Sequence, residues 1–376
     1  MTAYLDNSAT TFLCEKAKKE MINAIENCWG NPSSLHQVGI DADMLLRQCR
    51  NTVAKALKCD ADEVIFTSGG TEGNNLAIFG AAYGARRKGN RVITTKIEHP
   101  SVLNAFGRLE QEGFEVIYIG TDEKGHLDMA ALEAAVDEKT ILISVMAVNN
   151  EVGTIQPFEA LAPLVRRKNS PALIHVDAVQ AFGKLPLNPK KAGIDLMTVS
   201  SHKIHGPKGV GALFIKKGTK IRPVAVGGGQ ERDIRPGTEP MPAISGFSGA
   251  VSELTVEKSL EKMTALRDSF LSKLSAVEGV SINSPDDALP YIVNLSLKGL
   301  RSETVLNLLS DMDIFISSGS ACAKGHKSHV LTAMGLKDDD IDSSLRVSLS
   351  RFTTQQELDY FIEGISTALR VIMKKR

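Results

Sequence analysis

The segment Val199-Ser-Ser-His-Lys-Ile-His-Gly-Pro-Lys-Gly-Val-Gly-Ala-Leu213 places one lysine, Lys203, between an apolar run and a glycine-rich turn. The apolar run, residues 194–199, predicts a buried strand, and the turn leads into a second strand over 211–215. A lysine at such a strand end loses water, which lowers its pKa and makes the amine nucleophilic. The alternative is a lysine whose stem reaches solvent or whose amine pairs with a carboxylate.

Length and composition limit the class of protein. A chain of 376 residues predicts one large domain and a smaller one. Lys and Arg number 44 and Asp and Glu number 44, so no net charge favours a nucleic-acid or membrane surface. The N-terminus does not resemble a signal peptide, and no apolar run has membrane-spanning length. Five cysteines without regular spacing are typical of free thiols, which favours a reducing cytoplasm.

Short apolar runs alternate with amphipathic segments up to about residue 240. This alternation is typical of an α/β fold, with a mostly parallel sheet covered by helices on both faces. The region after residue 240 predicts a long, charged bridging helix over 244–277, followed by short strands and helices of an α+β unit. We therefore predict a large domain over residues 1–240 and a small domain over 241–376.

Polar clusters follow four predicted strands. They are Glu98-His99, Asn149-Asn150-Glu151, Asp177 with Gln180, and Lys203. Ligands of such sheets bind at the carboxyl ends of the strands, so one shared site explains the clusters better than four accidents. A further segment, Ser68-Gly-Gly-Thr-Glu-Gly-Asn-Asn75, precedes a helix predicted over 76–87. Its glycines and the free N–H groups of a helix start could bind an anion, although a plain N-cap gives the same pattern.

Pyridoxal phosphate (PLP) needs the groups that these clusters contain. Its aldehyde condenses with a lysine amine, here Lys203, and a carboxylate, here Asp177, holds the proton of its pyridine nitrogen. The other predicted contacts are His99 stacked on the ring, Gln180 at the phenolic oxygen, and Gly70, Thr71, Ser200 and His202 at the phosphate. Structural roles stay open as well, since His99 could cap a helix and Asp177 could pair with an arginine.

Short motifs occur in a fixed order along nearly the whole chain. They are Tyr4-Leu-Asp-Asn-Ser-Ala-Thr-Thr, Asn31-Pro-Ser-Ser, Phe66-Thr-Ser-Gly-Gly-Thr-Glu, Glu98-His, Asn149-Asn-Glu-Val-Gly, His175-Val-Asp-Ala-Val-Gln, Ser201-His-Lys, Arg235-Pro-Gly-Thr, Ser318-Gly-Ser-Ala-Cys and Arg346-Val-Ser-Leu-Ser-Arg-Phe. With these motifs the chain resembles the PLP-dependent cysteine desulfurases of the NifS/IscS type. The resemblance implies the aspartate-aminotransferase fold (fold type I) in its class V branch.

The resemblance also implies roles for individual residues. Lys203 binds the cofactor and later carries the substrate proton, and His99 helps to move protons. Asn150 contacts cofactor and substrate, and Arg346 binds the substrate carboxylate with its planar fork. Thr238 contacts the phosphate in the neighbouring subunit, which implies a homodimer.

The resemblance implies that Cys322 is the residue that distinguishes a desulfurase from a transaminase. It lies in Ser317-Ser-Gly-Ser-Ala-Cys-Ala-Lys-Gly325, among small residues after a predicted strand. A thiolate that attacks sulfur needs nearby positive charge, which Lys324 and His326 could supply. An inert buried cysteine is one alternative. A metal ligand is another, because Cys322, His326 and His329 have C-x3-H-x2-H spacing, but no fourth ligand is evident and we predict no metal.

The predicted function is conversion of L-cysteine to L-alanine, with the sulfur left on Cys322 as a persulfide for an acceptor protein. Such sulfur would supply iron–sulfur cluster assembly or thiolation. A selenocysteine lyase, or another class V lyase or aminotransferase with the same cofactor, is the alternative. A non-catalytic scaffold is a third hypothesis, which the joint presence of Lys203, Asp177 and Cys322 disfavours. We predict neither membrane nor direct nucleic-acid binding.

Overall fold

The computed structural model describes residues 1–318 and 327–373. The strands in these ranges are β1 (Ala3–Tyr4), β2 (Val64–Thr67), β3 (Arg91–Thr95), β4 (Glu115–Ile119), β5 (Thr140–Met146), β6 (Leu173–Asp177), β7 (Leu196–Ser200), β8 (Gly211–Ile215), β9 (Val280–Ile282), β10 (Ile292–Leu297), β11 (Ile314–Phe315), β12 (Ser317–Ser318) and β13 (Ser344–Ser348). The helices are α1 (Glu15–Asn27), α2 (Gln37–Leu57), α3 (Gly70–Ala85), α4 (Pro100–Gln111), α5 (Met129–Ala135), α6 (Leu161–Arg167), α7 (Pro189–Ala192), α8 (Met241–Ser252), α9 (Val256–Leu274), α10 (Ser302–Asp311), α11 (His329–Ala333), α12 (Asp338–Asp342) and α13 (Gln355–Met373).

The central element is a seven-stranded sheet with the order β2-β8-β7-β6-β5-β3-β4. Strands β7, β6, β5, β3 and β4 are parallel to their neighbours in this series. Strand β8 is antiparallel to both β2 and β7, so β2 runs in the same direction as the parallel strands. The prediction of a mostly parallel sheet is confirmed. The carboxyl ends of all strands except β8 therefore lie at one edge.

Successive residues of the strands contribute to separate cores on the two faces of this sheet. Leu142 packs in the core that α3 and α4 form on one face. Ile143 packs in the core that includes α2, α6 and α8 on the other face. Leu213 and Phe214 of β8 are divided in the same way. This alternation follows from the two-residue period of a strand. It explains why strands buried on both faces are continuously apolar in sequence.

The C-terminal part contains a four-stranded antiparallel sheet with the order β12-β13-β10-β9. The single bridging helix expected over 244–277 is two helices, α8 and α9, interrupted at residues 253–255. Strand β1 pairs in parallel with β11, so the first residues of the chain join its C-terminal part. The division into residues 1–240 and 241–376 stays a prediction.

Helix α3 begins at Gly70, six residues before the expected start at Leu76. The glycine-rich segment therefore forms the first turn of the helix, and its N-cap, Gly69, has a φ of 146°. Only glycine adopts such a conformation readily. Across residues 1–318 and 327–373, none of the helices combines the length and apolarity required to cross a membrane.

Candidate active site

A cavity of about 1210 Å³ lies at the carboxyl edge of the seven-stranded sheet. The predicted site residues that line it are Gly70, Thr71, His99, Asn150, Asp177, Gln180, His202, Lys203 and Arg346. They come from segments that are distant in sequence but follow neighbouring strands, together with Arg346 on β13. Ser200 and Thr238 do not line this cavity. Cys322 lies outside the described residues.

Lys203 is half-buried in a short 3-10 turn that directly follows β7. Its Nζ donates to the carbonyl oxygen of Ser8, and also to that of Ala9 at 2.7 Å. Loss of water and the charge of Arg346 lower the pKa of Lys203 to about 8, against the opposite effects of Asp6 and Asp177. A substantial fraction of this amine is therefore neutral and nucleophilic near pH 8.

Asp177 is the last residue of β6 and is buried. Its Oδ2 accepts a hydrogen bond from Asn74 Nδ2 at 2.7 Å, and its Oδ1 accepts one from the backbone N–H of Val179 at 3.0 Å. Both donors are uncharged groups, and they fix the orientation of the carboxylate at the cavity wall. The arginine partner considered as the alternative for Asp177 is not found among its contacts in the described chain.

His99 lines the cavity and is also the N-cap of α4. Its Nδ1 accepts from the backbone N–H of Ser101 at 3.1 Å and lies 2.8 Å from Ser101 Oγ. The helix-capping alternative and the cavity position are thus both present. Loss of water lowers the pKa of His99, and Lys203 and His329 lower it further, whereas Asp177 opposes the shift.

The first turn of α3 and Ser200 form one corner of the site. The initial N–H groups of a helix have no intrahelical acceptor, and here they belong to a glycine-rich turn that lines the cavity. A Cβ atom at Gly70 would lie only 2.8 Å from Val179 Cγ2, so a side chain here would have to displace Val179. Ser200 is completely buried, its Oγ has no hydrogen-bond partner in the described structure, and a Cβ at Gly69 would lie 4.0 Å from that oxygen.

His202 lies beside Lys203, and its Nδ1 is 3.2 Å from Thr10 Oγ1. Burial, together with the charges of three lysines, lowers the pKa of His202 to about 4. Its ring is therefore neutral at pH 7. A neutral imidazole can serve a bound anion as a hydrogen-bond donor but adds no charge.

Gln180 has a fixed amide orientation. Its Nε2 donates to the carbonyl oxygen of Ser8 at 3.0 Å, and its Oε1 accepts from Lys184 Nζ at 3.1 Å. Because the carbonyl oxygen of Ser8 can only accept, the amide nitrogen of Gln180 must face Ser8, which leaves Oε1 for Lys184. Burial lowers the pKa of Lys184 to about 7, and the charge of Lys203 adds to the shift.

Arg346 on β13 is buried and lines the same cavity. One terminal nitrogen of its guanidinium is 2.8 Å from Asp6 Oδ1, and the other donates to the carbonyl oxygen of Asn150 at 3.1 Å. Its Nε has no partner in the described structure. Asp6 Oδ1 also accepts from Ser317 Oγ at 2.8 Å, which ties β12 to the same carboxylate.

Residues on both sides of the undescribed segment 319–326 line the cavity, including Ser318 and Lys327. The neighbouring His329 uses its Nε2 to donate to the carbonyl oxygen of Glu98 at 2.9 Å. No metal-binding group of three acidic, cysteine or histidine residues occurs in the part of the chain that the structure describes. Because Cys322 and His326 lie outside it, the metal alternative for these residues stays untested.

Thr238 is exposed, in the loop that follows Arg235. Arg235 Nε lies 3.2 Å from Glu72 Oε1 in the first turn of α3, so this loop is attached to the glycine-rich corner. A role for Thr238 in a neighbouring subunit remains a prediction.

Four residues of the site, Asn74, Ser101, Asp6 and Lys184, are not predicted from the sequence. Asn74 had a usable signal, because it is a polar residue at the head of an otherwise apolar helical run. Asp6 occurs in the motif that begins at Tyr4, but its partner is 340 residues away. The sequence contains no signal for that pairing.

The sequence was also compared with models of known protein families. The family model described as Aminotransferase class-V matches residues 3–361. The chain belongs to the class-V aminotransferase family. The predicted family and fold class are therefore confirmed.

The chain is similar to a protein named as a cysteine desulfurase and to two solved structures. A protein of Dictyoglomus turgidum named cysteine desulfurase IscS is 39% identical over 379 residues, which cover 99% of this chain and 95% of the relative. A solved structure titled NifS-like protein has a TM-score of 0.94 and 39% identity, with 99% of this chain and 100% of that chain covered. A second, titled SspA in complex with cysteine, has a TM-score of 0.83 and 33% identity, covering 94% of this chain and 100% of that chain.

Proposed function

We propose that this protein is a PLP-dependent cysteine desulfurase that converts L-cysteine to L-alanine and transfers the sulfur to Cys322. The observation that carries the proposal is one cavity lined by Lys203, Asp177 and Arg346. The chain belongs to the class-V aminotransferase family, and a relative of similar sequence is named cysteine desulfurase. An amine with lowered pKa, a carboxylate and a carboxylate-binding guanidinium are the groups that amino-acid chemistry on PLP requires.

The residues present fit the cofactor. The unpartnered, fully buried Ser200 Oγ lies next to the glycine-rich start of α3, where a phosphate would find hydroxyl and backbone donors. We assign Gly70, Thr71, Ser200 and His202 to this phosphate, and Thr238 to the phosphate of the neighbouring subunit in a homodimer. Asp177 would pair with the pyridine nitrogen, Gln180 would donate its second amide hydrogen to the ring oxygen, and His99 would cover the ring.

When bound, PLP withdraws electrons from the substrate Cα and so permits loss of the Cα proton. Lys203 has two tasks in this scheme: its neutral amine holds the cofactor, and after release it takes and returns the substrate proton. Its lowered pKa suits both tasks, since the amine must change protonation state near neutral pH. Arg346 and Asn150 line the cavity and would orient the substrate, with the guanidinium of Arg346 binding its carboxylate.

Cys322 would perform the sulfur transfer. Its thiolate attacks the cysteine sulfur, an S–S bond forms, and the Cβ–S bond breaks. The bonding electrons stay with Cβ, which takes a proton and completes alanine. The products are L-alanine and a persulfide on Cys322, which balances one cysteine and one protein thiol without an external oxidant.

The persulfide implies an acceptor, and we propose a protein of iron–sulfur assembly or thiolation in the cytoplasm. The free thiols of Cys14, Cys28, Cys49 and Cys59 are compatible with a reducing compartment. Burial raises the pKa of each of these thiols, for Cys59 to about 12, so they are poor nucleophiles at neutral pH.

A cysteine-to-serine comparison tests the proposal. Cys322→Ser should keep the visible absorption band of the bound cofactor but release neither sulfide nor alanine, whereas Cys59→Ser should turn over normally. Mass spectrometry after exposure to cysteine should find the added sulfur on Cys322. Normal turnover by Cys322→Ser would contradict the proposed sulfur transfer, and turnover of selenocysteine without cysteine would favour the lyase alternative.

A further inference from the structure

A continuous series of hydrogen bonds joins Asp177 to His99 along the cavity wall. Asn74 Nδ2 lies 2.7 Å from Asp177 Oδ2 and 2.9 Å from Ser101 Oγ. Ser101 Oγ lies 2.8 Å from His99 Nδ1, and the backbone N–H of Ser101 donates to the same nitrogen at 3.1 Å. The series links the end of β6 and the start of α3 to the start of α4.

The direction of each bond is set by which groups can donate. Asn74 Nδ2 has two hydrogens, which serve Asp177 and Ser101, while its Oδ1 has no partner in the described structure. The reverse orientation of this amide would place an oxygen against the carboxylate of Asp177, so the orientation is determined. Because the backbone N–H of Ser101 donates to His99 Nδ1, this nitrogen is an acceptor, so Ser101 Oγ accepts from Asn74 and directs its own hydrogen to His99.

His99 Nδ1 therefore accepts from two donors of Ser101, the backbone N–H and the hydroxyl. A nitrogen that accepts in this way carries no hydrogen, so the proton of the neutral ring is on Nε2. Protonating Nδ1 would break both bonds. The lowered pKa of His99 agrees with this geometry.

We propose that Asn74 and Ser101 are positioning residues that hold His99 as a neutral ring with its proton on Nε2. The catalytic consequence of this tautomer rests on the proposed function. A ring in this state can donate a hydrogen bond from Nε2 but has no free lone pair in its plane to accept the substrate proton. Proton movement at the substrate Cα then belongs to Lys203, and the proton-moving role expected for His99 reduces to hydrogen-bond donation.

Burial of the polar Asn74 side chain is unfavourable unless the amide has partners, which supports a specific role for Asn74 in the site. It is 1% exposed, and a buried amide without partners is destabilising. Its neighbour Asn75 instead donates to the carbonyl oxygen of Thr71 within the same helix. Asn74 and Asn75 therefore form a matched pair, one linked to the site and one linked only to its own helix.

The test is ¹⁵N NMR of the holoenzyme labelled at histidine, with the His99 signals assigned by a His99→Asn variant. In the wild type we expect the proton on Nε2 and a His99 pKa below its ordinary value of about 6.5. Ser101→Ala should raise this pKa, because a donor to the neutral form is lost, and Ser101→Thr should restore it. Asn74→Ala should weaken PLP binding about tenfold through Asp177, whereas Asn75→Ala should not.

The tautomer is measured from spectra and not from turnover, so it can also be measured on the purified chain if PLP does not bind. A proton on Nδ1, or a His99 pKa that is the same in Ser101→Ala and wild type, overturns the inference even in an active enzyme. Absence of PLP binding or of desulfuration in the wild type contradicts the proposed function instead. Ser101 is only half-buried, so the Ser101→Ala variant should fold and can test the inference even if Asn74→Ala does not fold.

Discussion

The carboxylate of Asp6 lies 2.8 Å from the guanidinium of Arg346, so an acidic residue of the N-terminal segment pairs with a buried arginine on β13. The Arg346 side chain is 6% exposed and that of Asp6 is 19% exposed. Removing one member of such a pair leaves the other charge without its partner, which costs more than the pair itself contributes.

We expect Asp6→Ala to lower the free energy of unfolding by about 2 kcal/mol, and Asp6→Asn by less, because an amide oxygen can still accept from Arg346. Denaturant unfolding measures both values. Asp62, whose side chain is 58% exposed and 3.9 Å from Lys217, is the control, and Asp62→Ala should change stability by less than about 0.5 kcal/mol. Equal losses for Asp6→Ala and Asp62→Ala would show that burial of the Arg346 pair has no energetic consequence.

The lowered pKa of Lys203 predicts how the amine reacts with an aldehyde. Only the neutral amine attacks, so the rate at which apoprotein regains its visible band with PLP should rise as the pH passes through about 8 and level off above it. Stopped-flow absorbance measures this rate. Arg346→Ala removes a cation that lowers the pKa of Lys203, and should move the midpoint to higher pH.

Arg351→Ala is the control for the Lys203 profile, since Arg351 pairs with Glu253 at 2.8 Å and is not among the charges that shift Lys203. Its midpoint should equal that of the wild type. A wild-type midpoint close to 10.5, the value of an unperturbed lysine, would contradict the burial argument.

Glu98 predicts a pH dependence of stability. The carboxyl is fully buried, its Oε1 accepts from Thr95 Oγ1 at 2.7 Å and from the N–H of Met146 at 2.9 Å, and its Oε2 has no partner in the described structure. Burial raises its pKa to about 8 from 4.5. The folded state therefore binds a proton that the unfolded state releases, so this contribution to stability falls as the pH rises from about 4.5 to about 8.

Glu98→Gln should remove this fall, which amounts to at most about 1.4 kcal/mol per pH unit. The variant and the wild type should have similar stability near pH 4.5, because the amide oxygen can accept the same two hydrogen bonds, and the variant should be the more stable by up to about 3 kcal/mol at pH 7. Unfolding midpoints between pH 5 and pH 9 measure the difference, with the exposed Glu261→Gln as control. Parallel pH profiles for Glu98→Gln and wild type would mean that Glu98 is not the proton-binding group.

The strands of the central sheet, and the residues that follow them, could be predicted from the sequence, because they depend on the local pattern of apolar residues. Apolar runs indicate the strands of the central sheet, and a residue at a strand end, such as Asp177 or Lys203, reaches the carboxyl edge whatever its partners are. The partners themselves depend on packing. Asn74 bonds to Asp177 across 103 positions and Arg346 to Asp6 across 340, and no periodicity indicates either pairing.

Helix boundaries are harder to predict from the sequence, because they too depend on packing. Glycines weaken helix propensity, so the sequence predicts the start of α3 at Leu76 although the helix begins at Gly70. The interruption between α8 and α9 falls within a segment whose helical pattern continues on both sides. Tertiary packing overrides propensity at both positions.

The pairing of β1 with β11 has a consequence for synthesis of the chain. Ala3 pairs with Ile314, so the N-terminal strand has no partner until more than 300 further residues have been translated. At 5–20 residues per second this takes about 15–60 s. Asp6, Ser8 and Ala9 follow the same strand, and Lys203 and Arg346 use them as hydrogen-bond acceptors. The N-terminal contacts of the active site are therefore incomplete until Arg346 has been translated.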